Sequence, residues 1–305
     1  MPVAQPGEEL VSVRASALSQ FTKSRASGAH YSASGALPAV AGSDGVGLTQ
    51  DGRRVYFILP EAPFGAMAEF TRVSAKRCIE LPEGLDDITV AAIANPGMSA
   101  WAALVNRAQI KPGDTVLVNG ATGTAGRLAV QLARHLGAAK VIATGRDSAA
   151  LETIEALGAD VVIPFDLADA HPQGARDFEA LLEDQFGKGI DVVVDYLWGR
   201  SAEIIIAAIA RAVEDATPVR FVHVGAMSGS EIVLPGAALR SSAIMLMGSG
   251  IKSVPLADLL AAIGHVFDAV GPAKLQIATR PVPLSAVEET WDADSGKSRA
   301  VFTVE

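Results

Sequence analysis

The sequence predicts an α/β protein, a doubly wound parallel sheet joined to a second, β-rich unit. Three observations predict it. From Asp114 onward, strand-like apolar runs alternate with stretches of helix length. The first of those runs ends in a glycine turn, GATGTAG at 120–126, that leads straight into a helical pattern. The first hundred residues differ in kind, being rich in Gly, Pro and Ser with only short β-like pieces.

In chain order, the β-like pieces of the first unit are 9–15, 54–58 and 68–73. The strands of the alternating part are expected at 115–118, 140–144, 160–163, 191–195 and 220–224. Helices are expected between them at 125–136, 149–157, 177–186 and 202–213. Leu128, Leu132 and Leu136 fall on one face of the first helix, as packing against a sheet requires. Gly137 and Gly158 stand where helix C-caps belong. A further helix is expected at 256–270, then a β-like tail, 278–305, that returns to the first unit. The domain reading is therefore 1–98 with 254–305 for the β-rich unit and 99–253 for the parallel sheet.

Composition narrows the function classes. The 305 residues, half of them hydrophobic, can bury a large core. A net charge of −9 argues against a nucleic-acid-binding face. The single cysteine, Cys78, excludes an intramolecular disulfide framework and a multi-cysteine zinc site. The N-terminus lacks the basic and apolar regions of a signal peptide, and no uninterrupted apolar run reaches the length of a membrane span. The expected compartment is the cytoplasm.

The glycine turn is where chemistry first shows. Gly123 would let backbone approach a pyrophosphate, and Gly126 would let the helix sit close to its strand. The backbone N–H groups of Gly123, Thr124 and Ala125 would then face phosphate oxygens. The first glycine of the usual G-x-G-x-x-G falls at Ala121, with Gly120 one step earlier. A tight strand-to-helix turn with no ligand is the plain alternative. The second strand ends in Gly145-Arg146-Asp147, where an NAD-binding chain usually places an acid for the ribose hydroxyl. Arg146 suits a 2′-phosphate instead, which predicts NADPH over NADH. Asp147 as an acid displaced by one position, and Arg146 as an ordinary helix-cap residue, both stay open.

The turn, together with VDYLWG at 194–199, HVGAMSG at 223–229 and the β-rich opening, resembles the medium-chain dehydrogenase/reductase superfamily. LPAVAGSDGVG followed by DGRRVYF is similar to its zinc-independent quinone oxidoreductase branch. The resemblance runs from about Pro6 to the end; relatives usually open with one more β-strand segment before that position. It implies a GroES-like first domain, a Rossmann cofactor domain, and homodimers joined edge to edge through the last Rossmann strands. The apolar run at 243–247 fits such an edge, a strand buried within one subunit being the alternative.

The resemblance also places site residues. Zinc-dependent relatives hold their metal with Cys, His and Cys or Glu; here Ser19, Ser43 and Asn95 occupy those positions, and none is a good zinc ligand. The five histidines stand singly. No metal is expected, so the natural chemistry is hydride transfer to an acceptor that is already activated, a quinone or an α,β-unsaturated carbonyl. Ser19, Tyr31 and Asn95 are expected to line the substrate cleft. Tyr31 is the candidate catalytic residue, with a surface tyrosine as the alternative. Tyr56 is expected in the core. Ser99, Tyr196, Gly225, Ala226, Met227, Met247 and Gly248 are expected around the nicotinamide. Arg299 is expected either to reach the cofactor or to be a surface charge. The rival functions are an enoyl-thioester reductase and a non-catalytic NADPH-binding redox sensor. The partners expected are a small-molecule substrate and a second copy of the chain, with neither nucleic acid nor membrane.

Overall fold

The computed structural model describes residues 2–33, 37–168, 171–293 and 298–304. Of the expected β-like tail, 294–297 and 305 therefore lie outside the described residues. In chain order the strands are β1 (Glu8–Ala17), β2 (Asp44–Thr49), β3 (Arg54–Ile58), β4 (Phe70–Ser74), β5 (Cys78–Glu80), β6 (Thr115–Asn119) and β7 (Lys140–Gly145). They continue as β8 (Val161–Pro164), β9 (Val192–Asp195), β10 (Pro218–His223), β11 (Ala243–Gly248), β12 (Thr279–Pro283) and β13 (Arg299–Thr303). The helices are α1 (Gln20–Ala26), α2 (Asp87–Trp101), α3 (Thr124–His135), α4 (Ser148–Glu155) and α5 (Pro172–Phe186). The last four are α6 (Gly199–Ala212), α7 (Gly236–Arg240), α8 (Leu256–Ala269) and α9 (Val287–Trp291).

These elements form two compact units: Met1–Asn95 with Ile263–Asp268 and Ile277–Glu305, and Pro96–Ala262 with Ala269–Gln276. The second unit holds the parallel sheet, in the order β11-β10-β9-β6-β7-β8. Its central strands read as continuous apolar runs because both faces are covered. Leu117, Ile142, Val193 and Phe221 face a core built with Phe178 and Leu182 of α5 and Ile205 and Ile209 of α6. Their neighbours along the strands, Val116, Val118, Val192 and Val194, are just as fully buried on the other face. Gly137 and Gly158 close α3 and α4 with φ of +92° and +113°, the left-handed conformation expected of helix-ending glycines.

The first unit is a seven-stranded sheet, ordered β12-β13-β1-β2-β3-β5, with β4 also paired to β1. All its pairings are antiparallel except β12 with β13. Long β1 alternates Val11, Val13 and Ala15 inward with Ser12 and Arg14 outward. Glycine-rich β2 has no such pattern. A Cβ at Gly47 would stand 2.3 Å from the Ser12 carbonyl oxygen, so close backbone approach, not side-chain packing, selects its residues.

Two helices of the first hundred residues carry no clear sequence signal. One is α1, set off by Ser19 as its N-cap. The other is α2, which has Pro96 inside it and passes into a π-helical segment, Ala102–Arg107. The combined stretch Asp87–Arg107 has the length and hydropathy of a membrane span, and 61% of its most apolar window is buried inside the protein.

Candidate active site

The parallel strands all end on one edge of their sheet. There β6 and β9 lie side by side while the chain winds outward from them in opposite directions, the crevice where such sheets bind ligands. The turn after β6 starts at Gly120, φ +85°, and its N–H and that of Ala121 donate to the Thr144 carbonyl at 3.2 and 2.9 Å. This ties the turn to β7.

The two glycines that follow do different jobs. A Cβ on Gly126 would come 2.3 Å from the Gly120 carbonyl oxygen and 2.7 Å from Ala121 Cα, so only glycine lets α3 lie against the turn. A Cβ on Gly123 would meet nothing nearer than 3.5 Å. Packing does not require a glycine there. Gly123 and Thr124 are exposed, and no side chain caps the first turn of α3. An open, uncapped helix start with a bare glycine in front of it fits a pyrophosphate, through its free N–H groups and the positive end of the helix dipole.

The end of β7 resolves one open point. Asp147 Oδ1 accepts the Ala150 N–H at 3.0 Å and so caps α4. Arg146 is not the cap; it projects into solvent beside buried Gly145.

Behind this edge lies a buried polar network that the sequence does not announce. Asn119 Nδ2 donates to Asp195 Oδ1 at 2.7 Å and to Ser201 Oγ at 3.0 Å, and Thr144 Oγ1 donates to Asn119 Oδ1 at 2.6 Å. All four side chains are buried. Asp195 also accepts the backbone N–H groups of Leu197 and Trp198. Burial pushes its carboxyl up to about 6, against the opposing pull of those donors. The two N–H bonds hold Trp198 at φ +58°, a backbone conformation that side chains rarely adopt. The Trp198 ring lies 4.3 Å from that of His223, whose Nδ1 is 3.9 Å from Asp195. Burial holds the His223 imidazole below its ordinary value. One hint of this network exists in the sequence: two apolar strands end in Asn119 and Asp195.

Asp195 also joins two loops. Its carbonyl accepts the N–H groups of Val224 and Gly225, and Met227 and Ser228 donate to the carbonyls of Tyr196 and Leu197. Thus Gly225, Ala226 and Met227 run alongside Tyr196. Ala226 and Met227 are not buried, Met227 being 64% exposed. Gly248 pairs with His223 at the end of β11, next to half-buried Met247. Tyr196 is buried, which raises its hydroxyl well above the ordinary range, and half-buried Ser99 acts on that hydroxyl. The fold therefore gathers Gly123, Thr124, Ala125, Gly145, Arg146, Tyr196, Gly225, Ala226, Met227, Met247 and Gly248 at one sheet edge.

Arg299 belongs to the other unit and is no surface charge, being only 7% exposed. It acts electrostatically on Asp44 and Tyr56. Tyr56 is buried as expected, and its hydroxyl donates to Asp44 Oδ2 at 2.7 Å. Asp44 Oδ1 and Arg299 Nε and Nη2 find no hydrogen-bond partner among the described residues.

The expected cleft residues in this unit have varied surroundings. Ser19 Oγ accepts the Thr22 N–H and donates to Thr22 Oγ1, both at 3.0 Å. Ser43 is buried behind a pocket lined also by Thr22, Arg25, Leu59 and Phe64. Asn95 is half-buried in α2, just before Pro96. Tyr31 is 60% exposed and stacks on His30, ring centroids 4.2 Å apart. Among the described residues no three His, Cys, Asp or Glu side chains come together as a metal-binding group.

Comparison with known proteins agrees with this geometry. The zinc-binding dehydrogenase family matches over residues 125–262, a stretch containing none of Ser19, Ser43 and Asn95. A probable NADPH-dependent quinone reductase of Emericella nidulans is 29% identical over 99% of this chain and 94% of its own. A 2-haloacrylate reductase of a Burkholderia species is 33% identical over 63% of this chain and 60% of its own. The quinone oxidoreductase of Thermus thermophilus, solved also in complex with NADPH, superposes with a TM-score of 0.78 at 25% identity, covering 99% of this chain and 93% of that one. With a doubly wound sheet, its glycine turn and an antiparallel companion unit, the chain is similar to the quinone oxidoreductase-like branch of the medium-chain dehydrogenase/reductase superfamily.

Proposed function

We propose that this protein is an NADPH-dependent, zinc-independent oxidoreductase that reduces a quinone or an α,β-unsaturated carbonyl. The observation that carries the reading is the open glycine turn at the C-terminal edge of the parallel sheet, with uncommitted Arg146 beside it. The names of the Emericella and Thermus proteins support the cofactor and the quinone; that of the Burkholderia protein supports a conjugated acceptor.

When bound, NADPH supplies the hydride. The N–H groups of Thr124 and Ala125 hold the pyrophosphate, and Gly123, whose own N–H donates to the Gly120 carbonyl at 3.2 Å, leaves room for it as a bare backbone rather than serving as the donor expected from the sequence. Arg146 binds the 2′-phosphate, to which its planar, permanently charged guanidinium is matched. Gly145 leaves room beside it. Tyr196, Ser99, Gly225, Ala226, Met227, Met247 and Gly248 flank the nicotinamide. Ser19 and Asn95 border the acceptor, and Tyr31 carries the proton that completes the reduction. The hydroxyl and amide groups of Ser19, Ser43 and Asn95 make a poor zinc donor set, so the acceptor is polarised by hydrogen bonds and charge rather than by a metal.

The protein acts as a homodimer in the cytoplasm. In support, β11 is an edge strand whose Met245 and Leu246 are 43% and 37% exposed, an apolar edge that a second copy would cover.

The test is a pair of binding titrations with NADPH and NADH, then NADPH consumption with quinones, enones, enoyl thioesters and alcohols, with and without chelator. Tight NADPH binding and chelator-insensitive turnover of quinones or enones are expected. Binding without turnover would make the protein a sensor, turnover of thioesters alone an enoyl-thioester reductase, and failure to bind either dinucleotide would overturn the proposal.

A further inference from the structure

The glycine turn carries a second arginine besides Arg146. Arg127 directly follows Gly126, and its backbone N–H donates to the Gly123 carbonyl at 2.9 Å, the first α-helical bond of α3. Its backbone is therefore fixed to the turn.

The Arg127 side chain is half-buried and reaches across to α4. Nε donates to the Thr122 carbonyl at 3.2 Å, and Nη2 donates to Thr153 Oγ1 at 3.0 Å. The Thr153 hydroxyl gives its own hydrogen to the Ala150 carbonyl at 2.6 Å, so toward Arg127 it can only accept. Both acceptors are neutral oxygens, and among the described residues Arg127 forms no ion pair. Two bonds from different edges of the guanidinium hold it in one orientation.

These bonds hold the guanidinium at the end of β7. Thr122 abuts Gly145, the last residue of that strand: a Cβ added at Gly145 would stand 2.9 Å from Thr122 Cγ2 and 3.4 Å from Leu151 Cδ2 of α4. Exposed Arg146 comes next in the chain, and then Asp147, the cap of α4. Turn, strand end and α4 thus meet at one junction. Arg127 spans it from the α3 side, and Arg146 stands on it from the β7 side.

A dinucleotide whose pyrophosphate lies at the start of α3 brings its adenine ribose to this junction. The 2′-phosphate that distinguishes NADPH from NADH carries more than one negative charge at neutral pH. Arg146 alone is a weak match for it. That side chain is exposed, so water and salt screen its attraction, and binding must order a free chain. Asp147 beside it is an acid, although its carboxylate is turned to the Ala150 N–H. Arg127 supplies what is missing. It adds a positive charge that offsets Asp147, its orientation is set in advance, and Nη1 takes no part in either bond.

We infer that Arg127 is a second determinant of NADPH over NADH, meeting the ribose 2′-phosphate from the α3 side as Arg146 does from β7. The inference rests on the NADPH reading for its ligand and on the bracing of Arg127 for its role. A guanidinium that only strutted α3 against α4 would serve both dinucleotides alike, and this difference makes the role testable.

The experiment is a set of binding titrations of the full chain without any acceptor, in the wild type, Arg127→Met, Arg127→Lys and Arg146→Ala. The ligands are NADPH, NADH, adenosine 2′,5′-bisphosphate and adenosine 5′-monophosphate; within each pair only the 2′-phosphate differs. Arg127→Met keeps the apolar stem. It should weaken NADPH and the bisphosphate about tenfold and leave NADH and the monophosphate within about twofold. Arg127→Lys keeps the charge without the fork and should recover part of the loss. Melting curves identify a variant that has unfolded, and where Arg127→Met does so, Arg127→Lys carries the same comparison. Equal losses for NADPH and NADH would make Arg127 a strut and overturn the inference. A wild-type preference for NADPH that Arg146→Ala removes and a folded Arg127 variant retains would overturn the inference and leave the NADPH reading standing. A wild type that binds NADPH no tighter than NADH would overturn that reading and the inference with it.

Discussion

Gly123 and Gly126 are three residues apart in one turn, yet the structure requires glycine only at the second. An added methyl at Gly126 would meet backbone at 2.3 Å, while the same methyl at Gly123 would meet nothing closer than 3.5 Å. Gly126→Ala should therefore destabilise the fold by on the order of 3 kcal/mol, read as a clear drop in melting temperature. Gly123→Ala should melt within a degree or two of wild type and weaken NADPH about tenfold or more in a fluorescence titration. A Gly123→Ala protein that binds NADPH normally would return the turn to a purely structural role. Asp195 gives a second prediction at this scale. Burial raises its pKa from 3.8 to about 6. A raised acid stabilises the fold only while it keeps its proton, so this contribution is complete below about pH 4 and is lost as pH climbs through about 6. Denaturant midpoints of the wild type should fall across that window, and Asp195→Asn should flatten the slope; an unchanged slope in the variant would assign it to other groups.

At the scale of elements, the link between β7 and α4 divides its duties between neighbours. Asp147 caps the helix and Arg146 stays uncommitted. Asp147→Ala should cost about 1 kcal/mol of stability, the usual value of an N-cap. Arg146→Ala should leave the melting temperature alone, weaken NADPH about tenfold and leave NADH affinity unchanged. Equal effects on both dinucleotides would deny it the 2′-phosphate. The five expected strands of the parallel sheet lie within two or three residues of the observed ones, because a strand buried on both faces must be apolar throughout and is bounded by turns. The elements with no clear signal are those whose residues answer to something other than periodicity. In β2 the glycines at 45 and 47 serve close backbone contact. In α2 the interior Pro96 and the change to π-helical geometry conceal a helix. In α1 the helix is short, and its best marker, Ser19, stands at a position where family resemblance points to a replaced metal ligand and so hides a cap.

At the scale of the whole molecule, β11 presents an apolar outer edge, and Met245→Lys with Leu246→Lys should convert the proposed dimer to a monomer in sedimentation experiments. A wild type that already sediments as a monomer would refute the pairing. Strand-like runs alternating with helical stretches and one glycine turn were enough to predict the doubly wound sheet and the edge on which the turn lies, while the superfamily entered as a resemblance carried by VDYLWG, HVGAMSG and the motifs of the first unit. The sheet and its edge follow from local rules: a buried parallel strand must be apolar, and a helix that starts against a phosphate must start with glycine. Tertiary structure alone decided three other matters. It put Arg299 inside a core with Asp44 and Tyr56 rather than on the surface. It linked Asn119, Thr144, Asp195 and Ser201, which span more than 80 residues of chain, into one buried network. It stretched Arg127 from the glycine turn to Thr153 of α4, at the end of β7. The physical reason is common to all three: a charge is defined by what surrounds it, and residues distant in sequence supply the surroundings.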